Sequence, residues 1–295
     1  MDRLTMTGET LSRVGLLGTG LMGSAMGHRL RDQGIEVIAW DRQPEHVRAL
    51  EERGAERARS PNEVVRGADI VVTMLPTADI VLAVVEPLLA EWPEETIWLQ
   101  MSSVGAEEAD RLVKVAAINR VTLFDAPVSG STHPAEEGQL TILASGPESV
   151  RPRVEPVLQA LGSRVQWVGE AGAGSRLKLA ANHWMIAMVA ALAEAMHLCE
   201  LMSLDGQQLV TLLDGGPLGS PYGLEKLREM QRQDYPAGFP VRLALKDLKL
   251  VREVAQGAGV ELPVLNTVLE RIGAVENRHG NDDLAAVYEL KLPAG

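Results

Sequence analysis

The chain has 295 residues, of which 40 are acidic and 28 are basic, and its formal net charge is −12. Nucleic-acid binding depends on clustered Lys and Arg side chains that neutralise phosphates, so this charge balance argues against a nucleic-acid partner. The length accommodates two domains of ordinary size, each with its own hydrophobic core.

Short β-branched runs alternate with longer amphipathic stretches from Arg13 to about Val168, a pattern typical of βαβ units on a parallel sheet. Helices are predicted between the strands, including 44–53, with Pro44 in its first turn, and 61–67, with Ser60 as its N-cap. We expect an α/β domain over residues 1–168, built on a Rossmann-like doubly wound sheet. Its strands are predicted at 14–17, 36–40, 70–74, 96–100, 122–125, 140–144 and 164–167.

The pattern changes after the glycine-rich joint at residues 169–174. A long run of helix formers follows to about Ser203, and no β-rich run returns. Pro and Gly residues punctuate the breaks between the later helices. We expect an all-helical second domain over residues 169–295. Its helices are predicted at 175–203, 207–213, 224–232, 241–257 and 263–277.

Three features favour a soluble, cytoplasmic protein that does not enter a membrane. The single cysteine, Cys199, cannot form an intramolecular disulfide, and its apolar surroundings predict a small core residue. The first twelve residues are polar and mixed in charge, which argues against a signal peptide. The longest apolar run, residues 184–193, is too short to span a bilayer.

A glycine-rich segment directly follows the first predicted strand. Its G-x-G-x-x-G spacing is followed 18 residues later by Asp41, as in a dinucleotide-binding fingerprint. In that fingerprint Gly18 permits the tight turn, Gly20 lets the backbone approach a pyrophosphate, and Gly23 lets the helix pack on the strand. The phosphate rests on the positive end of the following helix. A glycine-rich turn without a ligand is the alternative. The predicted cofactor loop comprises Gly18, Thr19, Gly20, Leu21, Met22 and Gly23.

Asp41 closes the second predicted strand. A carboxylate there can accept hydrogen bonds from both ribose hydroxyls of an adenosine and can repel a 2′-phosphate. Arg42 follows immediately, and its guanidinium could pair with that phosphate instead. We therefore expect NAD or NADP as the cofactor, with NAD favoured. An ordinary carboxylate at the end of a strand is the alternative role for Asp41.

Two further strand ends are predicted at the same edge of the sheet. The segment Met74, Leu75 and Pro76 turns the chain beside the expected cofactor, although a simple loop proline is the alternative. Ser102 and Ser103 follow the next strand, where their hydroxyls could touch the nicotinamide ribose or carboxamide. They could equally cap the helix that begins near Gly105.

The segment 125–131, with the sequence Asp-Ala-Pro-Val-Ser-Gly-Ser, is the next transition from strand to loop. Its small residues expose consecutive backbone N–H groups and two hydroxyls, an arrangement that suits a substrate carboxylate. We expect Ser129, Gly130 and Ser131 to contact a small-molecule substrate. A tight turn without a ligand is the alternative.

Lys178 is the residue that we expect to transfer a proton. It follows the glycine-rich joint closely, and Asn182 at i+4 shares its helix face. The positive end of a helix and a cationic nicotinamide ring both disfavour an ammonium, which favours a neutral amine that can exchange a proton. Asn182 would then hold the substrate oxygen or carboxylate. A solvated surface lysine is the alternative for Lys178, and spacing alone favours it.

Lys246 and Asp247 lie between two leucines on a later predicted helix. Lys246 could reach the cofactor or the substrate, or the two residues could form a surface ion pair. None of the six histidines has metal-ligand spacing with another His, Cys or carboxylate pair, so we expect no metal site. The sequence also lacks a G-x-S-x-G elbow and a P-loop lysine.

Taken together, these segments resemble the β-hydroxyacid dehydrogenase family, the relatives of 3-hydroxyisobutyrate and 6-phosphogluconate dehydrogenases. The resemblance implies hydride transfer between NAD(P) and a short β-hydroxy acid or its semialdehyde. It also implies Lys178 as general acid and base, Ser129 and Gly130 as substrate contacts, and Asn182 as the orienting partner. It further implies homodimers or homotetramers packed through the helical domain. The matching segments, in the family's order, are 18–23, 74–76, 125–140, 172–182 and 246–248.

Three positions depart from the family pattern. Ser131 stands where the family usually has a second glycine, Ala181 where it has Asn, and Gln100 where it often has Asp. Ser131 and Ala181 border the implied substrate pocket, which Trp184 and His133 could also shape. The acid can therefore differ from 3-hydroxyisobutyrate.

Two other functions compete with the dehydrogenase. An imine reductase has a similar fold, but its proton donor at the lysine position is typically Asp or Tyr, so Lys178 argues against it. A protein that binds the dinucleotide without turnover would be expected to lose Lys178 or Asn182, and both are present.

Overall fold

The computed structural model describes residues 13–290. The chain divides into two compact units between Lys178 and Leu179. This division lies ten residues beyond the boundary predicted from the sequence and falls inside a helix, Ala173–Leu201. The reason is that the first turn of this helix is hydrogen-bonded to strand ends of the first unit, at Asp125 and Ser145.

The described part of the first unit contains a nine-stranded sheet. From one edge, the strands β3, β2, β1, β4, β5 and β6 run parallel to one another. β8 pairs antiparallel with β6 and β7 and parallel with β9. The strands are β1 Val14–Leu17, β2 Val37–Trp40, β3 Glu56–Arg57, β4 Ile70–Thr73, β5 Ile97–Gln100, β6 Leu123–Asp125, β7 Val128–Ser129, β8 Thr141–Ser145 and β9 Arg164–Gly169.

Helices connect these strands, as expected for βαβ units. The α-helices are α1 Leu21–Asp32, α2 Arg48–Glu52, α3 Pro61–Arg66, α4 Ala78–Val85, α5 Ala106–Ile118, α6 Thr132–Glu137, α7 Arg151–Leu161 and the start of α8 Ala173–Leu201. Short 3₁₀ turns occur at Pro44–His46, Glu86–Glu91 and Glu148–Val150. Ser60 caps α3 as predicted, because its hydroxyl accepts the Glu63 N–H.

The sheet buries both of its faces, which explains why its central strands are largely apolar. Val14 and Leu16 of β1 belong to one core with Leu30 of α1, whereas Leu17 belongs to the opposite core with Val64 of α3. This alternation follows from the two-residue period of a strand. The order of strands reverses between β1 and β4, and in doubly wound sheets ligands bind outside the carboxyl ends at such a point.

The predicted α/β fold with a helical second part is confirmed, and all seven predicted strands are present. Two further strands, β3 and β7, were not predicted. The single helix predicted at 44–53 is wrong: it is a 3₁₀ turn followed by α2. The reason is that the Val47 N–H bonds to the Pro44 carbonyl three residues back, which tightens the chain there.

The described part of the second unit is built from helices. The remainder of α8 is followed by α9 Gly206–Leu213, α10 Pro221–Arg232, α11 Val241–Gly257, α12 Pro263–His279 and a 3₁₀ turn at Leu284–Glu289. All five predicted helices are present, and the final 3₁₀ turn was not predicted. Ser220 caps α10 through the Gly223 N–H.

A cluster of charged side chains is buried in the second unit. Lys226 of α10 lies 2.9 Å from a carboxylate oxygen of Glu229 and 2.9 Å from one of Asp283. Asp283 also accepts hydrogen bonds from the backbone N–H groups of Phe239 and Ala285. Burial raises the pKa of Glu229 to about 7. The cluster therefore joins α10 to the loop before α11 and to the 3₁₀ turn at 284–289.

One described helix, α8, is long and apolar enough by length and composition to cross a membrane, and 28% of its apolar window is buried. The uninterrupted run considered in the sequence is shorter, because His183 and Glu194 bound it while the helix continues on both sides. Core helices of soluble proteins meet the same criterion. The helix alone therefore does not assign the protein to a membrane.

Candidate active site

In the turn between β1 and α1, two glycines pack closely against the backbone and a third has free space beside it. Gly18 has φ +100°, and a Cβ there would lie 2.4 Å from the Met74 carbonyl oxygen. A Cβ on Gly23 would lie 2.1 Å from the Gly18 carbonyl oxygen, so α1 packs directly on the turn. A Cβ on Gly20, in contrast, would meet no protein atom within 4 Å. The turn therefore forms a rigid loop with an open backbone surface at Gly20.

The start of α1 has the features of an anion site. Gly20 is its N-cap and supplies no side-chain hydrogen bond, and no acidic residue occupies the first turn. The first N–H groups of a helix without such a cap can serve an anion, and the helix dipole favours negative charge there. The buried hydroxyl of Thr19 also has no hydrogen-bond partner. These observations fit the pyrophosphate of a dinucleotide, with Leu21 and Met22 providing the first helical N–H groups.

Asp41, directly after β2, is held by backbone groups. One carboxylate oxygen accepts the Thr19 N–H at 2.8 Å, and the other accepts the Gln43 N–H at 2.9 Å. The imidazole of His46 lies 3.4 Å from the second oxygen. Asp41 is thus more than an ordinary strand-end carboxylate, because it ties the end of β2 to the glycine-rich turn. Arg42 beside it is exposed.

The segment 74–76 follows β4 and is hydrogen-bonded to Ser102. The Leu75 N–H donates to the Ser102 hydroxyl at 2.9 Å, and that hydroxyl donates to the Thr73 carbonyl at 3.3 Å. Gln100 in turn accepts the Ser102 N–H at 2.9 Å. Ser102 is completely buried, so in this structure its hydroxyl holds the loop; its contact with the nicotinamide stays a prediction.

Ser103 is half-buried and stays a predicted cofactor contact. The competing role, in which Ser102 or Ser103 caps the next helix, is wrong. α5 begins at Ala106 with Gly105 as its N-cap, and the Gly105 N–H donates to the side chain of Glu108 at 2.7 Å. The cap of α5 is therefore made without either serine.

The segment 125–131 crosses from β6 into β7 and the start of α6. Ser129 ends β7 and pairs with Thr141 of β8. Gly130 has φ +135°, a conformation that favours glycine, and a Cβ there would lie 2.8 Å from Leu140. Ser131 is the N-cap of α6, but its side chain makes no cap hydrogen bond. Backbone pairing thus fixes Ser129, while Gly130 and Ser131 turn the chain away from the sheet.

Asp125 joins this segment to the beginning of α8. Its carboxylate accepts the Ser175 N–H at 2.8 Å and the Ser175 hydroxyl at 2.7 Å. Burial raises the pKa of Asp125, although these hydrogen bonds and the nearby Arg176 act to lower it. Lys178 lies one turn further along α8 and is itself buried, with an exposed fraction of 8%. The solvated surface lysine is therefore excluded as a description of Lys178.

A second buried carboxylate organises the predicted residues of the second unit. The Asn182 amide donates to Asp247 at 2.6 Å, and the Lys246 ammonium lies 3.3 Å from the other oxygen of Asp247. Asp247 is only 2% exposed. The ion pair of Lys246 and Asp247 is therefore not a surface ion pair, which was one of the two roles considered from the sequence, because Asp247 is buried. Asp247 orients both Asn182 and Lys246.

The chain matches two family models. Residues 13–169 match the NAD binding domain of 6-phosphogluconate dehydrogenase, and residues 172–291 match the NAD-binding domain of NADP-dependent 3-hydroxyisobutyrate dehydrogenase. The chain belongs to the β-hydroxyacid dehydrogenase family. It is accordingly an NAD(P)-dependent oxidoreductase, as the sequence motifs predicted.

Relatives of this family cover nearly the whole chain. The 2-(hydroxymethyl)glutarate dehydrogenase of Eubacterium barkeri is 32% identical over 96% of this chain and 95% of its own. Glyoxylate/succinic semialdehyde reductase 1 of Arabidopsis thaliana is 31% identical over 94% of this chain and 97% of its own. The structure of 3-hydroxyisobutyrate dehydrogenase from Mycobacterium tuberculosis with L-serine superimposes with a TM-score of 0.88 at 27% identity, covering 95% of this chain and 99% of that one.

Sequence reasoning about this dehydrogenase missed the importance of two aspartates. Asp125 was noted only as the start of a loop, and Asp247 only as half of an ion pair. Their partners lie 50 and 65 residues away, so no local pattern could reveal them. Within residues 13–290, no group of three or more His, Cys, Asp or Glu side chains is placed to hold a metal ion.

Proposed function

We propose that the protein transfers a hydride between NAD(P) and a short β-hydroxy acid or its semialdehyde, with Lys178 as general acid and base. The observation that carries this proposal is the burial of Lys178 in the same unit as the dinucleotide loop. Lysine is mostly found at the surface, and a lysine shielded from water can exchange its proton with a bound substrate rather than with solvent. The names of the relatives, which include a hydroxy-acid dehydrogenase and a semialdehyde reductase, support the same substrate class.

When bound, the nicotinamide supplies or accepts the hydride. In the direction of reduction, Lys178 donates a proton to the carbonyl oxygen while the hydride reaches the carbonyl carbon, which gives the hydroxyl group. In the direction of oxidation, neutral Lys178 takes the hydroxyl proton. Transfer by such a positioned group contributes about 10²- to 10⁴-fold to the rate.

The remaining predicted residues bind and orient. Ser129, Gly130 and Ser131 offer backbone N–H groups and hydroxyls to the substrate carboxylate. Asn182, four residues after Lys178 on α8, orients the substrate oxygen, with its amide held by Asp247. Lys246, which the same carboxylate orients, is assigned to the substrate or the cofactor.

The cofactor is held at the turn 18–23, with Met74, Leu75, Pro76 and Ser103 beside it. Asp41 favours NAD, because its carboxylate is fixed next to the glycine-rich turn and would repel a 2′-phosphate. Arg42 and His46 are the nearby groups that could favour NADP. The balance between these groups sets the preference.

The test of this function compares Lys178→Ala with Lys114→Ala. Lys114 is the one other lysine among the first 178 residues and is exposed on α5. We expect Lys178→Ala to bind NADH or NADPH as the native protein does and to lose turnover by about a hundredfold or more. Lys114→Ala should retain both. Unchanged turnover of Lys178→Ala, or loss of dinucleotide binding, contradicts the assignment of Lys178.

The substrate is identified by a screen of short β-hydroxy acids and semialdehydes with the more tightly bound dinucleotide. Turnover of a three- to six-carbon acid supports the dehydrogenase. Binding without turnover of any acid, followed by reduction of an imine, assigns the protein to the competing reaction.

We also propose a cytoplasmic homodimer or homotetramer that assembles through the second unit. Several large apolar side chains of that unit are exposed, and two of them, Leu198 and Leu201, lie three residues apart on α8 and so share one helix face. Exposed apolar side chains that lie together are typical of protein interfaces. Light scattering after size exclusion measures the mass, and a monomer at micromolar concentration contradicts this proposal.

A further inference from the structure

We propose that Asp125 is a positioning residue that fixes the first turn of α8, and with it Lys178, to the beginning of the substrate loop. The substrate loop is the segment 125–131. The inference rests on the proposed role of Lys178. It adds a residue that neither exchanges a proton with the substrate nor touches it.

The contacts of Asp125 reach two segments that are far apart in the chain. Its carboxylate accepts both the N–H and the hydroxyl of Ser175, at 2.8 and 2.7 Å. Its own carbonyl oxygen accepts the hydroxyl of Ser145 at 3.0 Å, and Ser145 in turn accepts the Gly174 N–H at 2.9 Å. One aspartate therefore connects the end of β6, the end of β8 and the start of α8. All three side chains, those of Asp125, Ser145 and Ser175, are at least 98% buried.

Close packing fixes the same turn. A Cβ on Gly174 would lie 2.2 Å from the Leu143 carbonyl oxygen and 3.1 Å from that of Asp125. Only glycine allows the helix to approach the two strands so closely. The start of α8 is thus held by hydrogen bonds on one side and by backbone contact on the other. Lys178 is three residues beyond Ser175, so any movement of this turn moves Lys178.

A simple helix cap does not require such an arrangement. α3 and α10 satisfy their first N–H groups with the neighbouring serines Ser60 and Ser220. Burying a carboxylate has a large desolvation cost, which a local serine avoids. At the start of α8 the acceptor instead comes from a strand end 50 residues away. What this long-range bond provides, and a local cap does not, is a fixed distance between the substrate loop and Lys178.

No charged group near Asp125 takes over its role as the hydrogen-bond acceptor for Ser175. Arg176 is the cation that acts on it, and Arg176 itself pairs with Asp110 at the surface. The two serines supply the hydrogen bonds. Removing the Asp125 carboxylate therefore leaves the Ser175 hydroxyl and N–H without an acceptor from the first unit's sheet.

The experiment measures kcat, substrate KM and dinucleotide Kd for Asp125→Ala, Asp125→Asn and Ser175→Ala. Misplacement of a reacting group by about 1 Å can cost about a hundredfold in rate. We expect kcat to fall by about ten- to a hundredfold in Asp125→Ala and by about tenfold in Ser175→Ala, with Kd unchanged within about twofold. Asp125→Asn keeps an acceptor for the Ser175 N–H and should recover most of the loss.

The matched control is Ser60→Ala, which removes a hydrogen-bonding serine from the start of α3 in the same unit. It should lower the melting temperature to an extent comparable with Ser175→Ala and leave kcat unchanged. The double variant Asp125→Ala/Ser175→Ala should be no slower than Asp125→Ala, because both changes break one link. Additive losses of kcat, or equal losses in Ser60→Ala, overturn the positioning role.

A second readout does not depend on turnover. Hydrogen–deuterium exchange of the peptide that contains residues 173–178 should be faster in Ser175→Ala and Asp125→Ala than in the native protein, and unchanged in Ser60→Ala. Unchanged exchange in Ser175→Ala overturns the proposal even if the native protein oxidises no hydroxy acid. Absence of turnover together with faster exchange contradicts the proposed function alone.

Discussion

Gly20→Ala separates ligand binding from folding within the glycine-rich turn. The backbone of Gly20, with φ −64° and ψ −166°, suits any residue, and a Cβ there would meet no protein atom within 4 Å. Alanine is a poorer N-cap than glycine by about 1 kcal/mol, whereas the loss of glycine flexibility in the unfolded chain returns about 0.4–1 kcal/mol. We therefore expect the stability of Gly20→Ala to stay within about 1 kcal/mol of the native protein.

The effect on the dinucleotide should be much larger. The new methyl group projects into the space that a pyrophosphate needs in order to reach the first N–H groups of α1. Loss of one hydrogen bond to a charged group costs about 1.5–3 kcal/mol. This corresponds to an increase in Kd of about ten- to a hundredfold for both NADH and NADPH.

Titration of protein fluorescence measures the two affinities, since the chain has five tryptophans, and thermal melting measures the stability. Gly273→Ala, in α12, is the control, because a Cβ there also meets no protein atom within 4 Å. It should leave Kd unchanged. Gly23→Ala should instead lower the melting temperature, because its Cβ would lie 2.1 Å from a carbonyl oxygen. Native affinity in Gly20→Ala would refute the assignment of this turn to the phosphates.

Two further predictions concern the supports of the site and the fold. Ser102→Ala leaves the Leu75 N–H without its acceptor. We expect this variant to lose about 1–3 kcal/mol of stability and to bind the dinucleotide severalfold more weakly in a fluorescence titration. The control, Thr96→Val, removes another buried hydrogen bond of a hydroxyl group and should leave the dinucleotide affinity unchanged. Burial raises the pKa of Glu229 to about 7 from an ordinary 4.5, so the folded protein binds an extra proton between these values and loses stability as the pH rises through them. The melting temperature of the native protein should therefore fall between pH 5 and 7.5, by about 2–4 °C for each kcal/mol of stability lost. This fall should be smaller in Glu229→Gln. The same dependence of melting temperature on pH in both proteins would contradict the burial of an ionisable Glu229.

The fold could be predicted because its main signals are local. Most of the predicted strands are short apolar runs between turn residues, and β9 alternates polar and apolar residues. Each helix of the second unit has an apolar face and a recognisable boundary. β3 and β7 have only two residues each, which is too short for any periodicity. The turn at 284–289 follows from the capping of Ala285 by Asp283, and the sequence offers no apolar period there.

The geometry of the glycine-rich turn could be predicted for the same reason. The roles of Gly18, Gly20 and Gly23 depend on spacing within six residues, and each glycine meets the steric condition that its role demands. Lys178 is a different case. Its burial could not be predicted from spacing, and only the resemblance to the family favoured it over a surface lysine.

The residues that escaped prediction share one physical property: they are aspartates buried among distant partners. Asp125, Asp247 and Asp283 are each at most 2% exposed, and each binds groups 44 or more residues away in sequence. From the sequence, aspartate is expected at the surface or at a turn. A buried carboxylate is stable only when several hydrogen-bond donors surround it. Here those donors come from distant segments of the chain, so each buried aspartate links such segments. Asp125 and Asp247 bind residues of α8, the helix that carries Lys178 and Asn182, and Asp283 binds the 3₁₀ turn at 284–289. An aspartate that ends a strand or lies within a helix, next to an apolar residue, is therefore the feature to examine in related chains when the residues that position a catalytic lysine are sought.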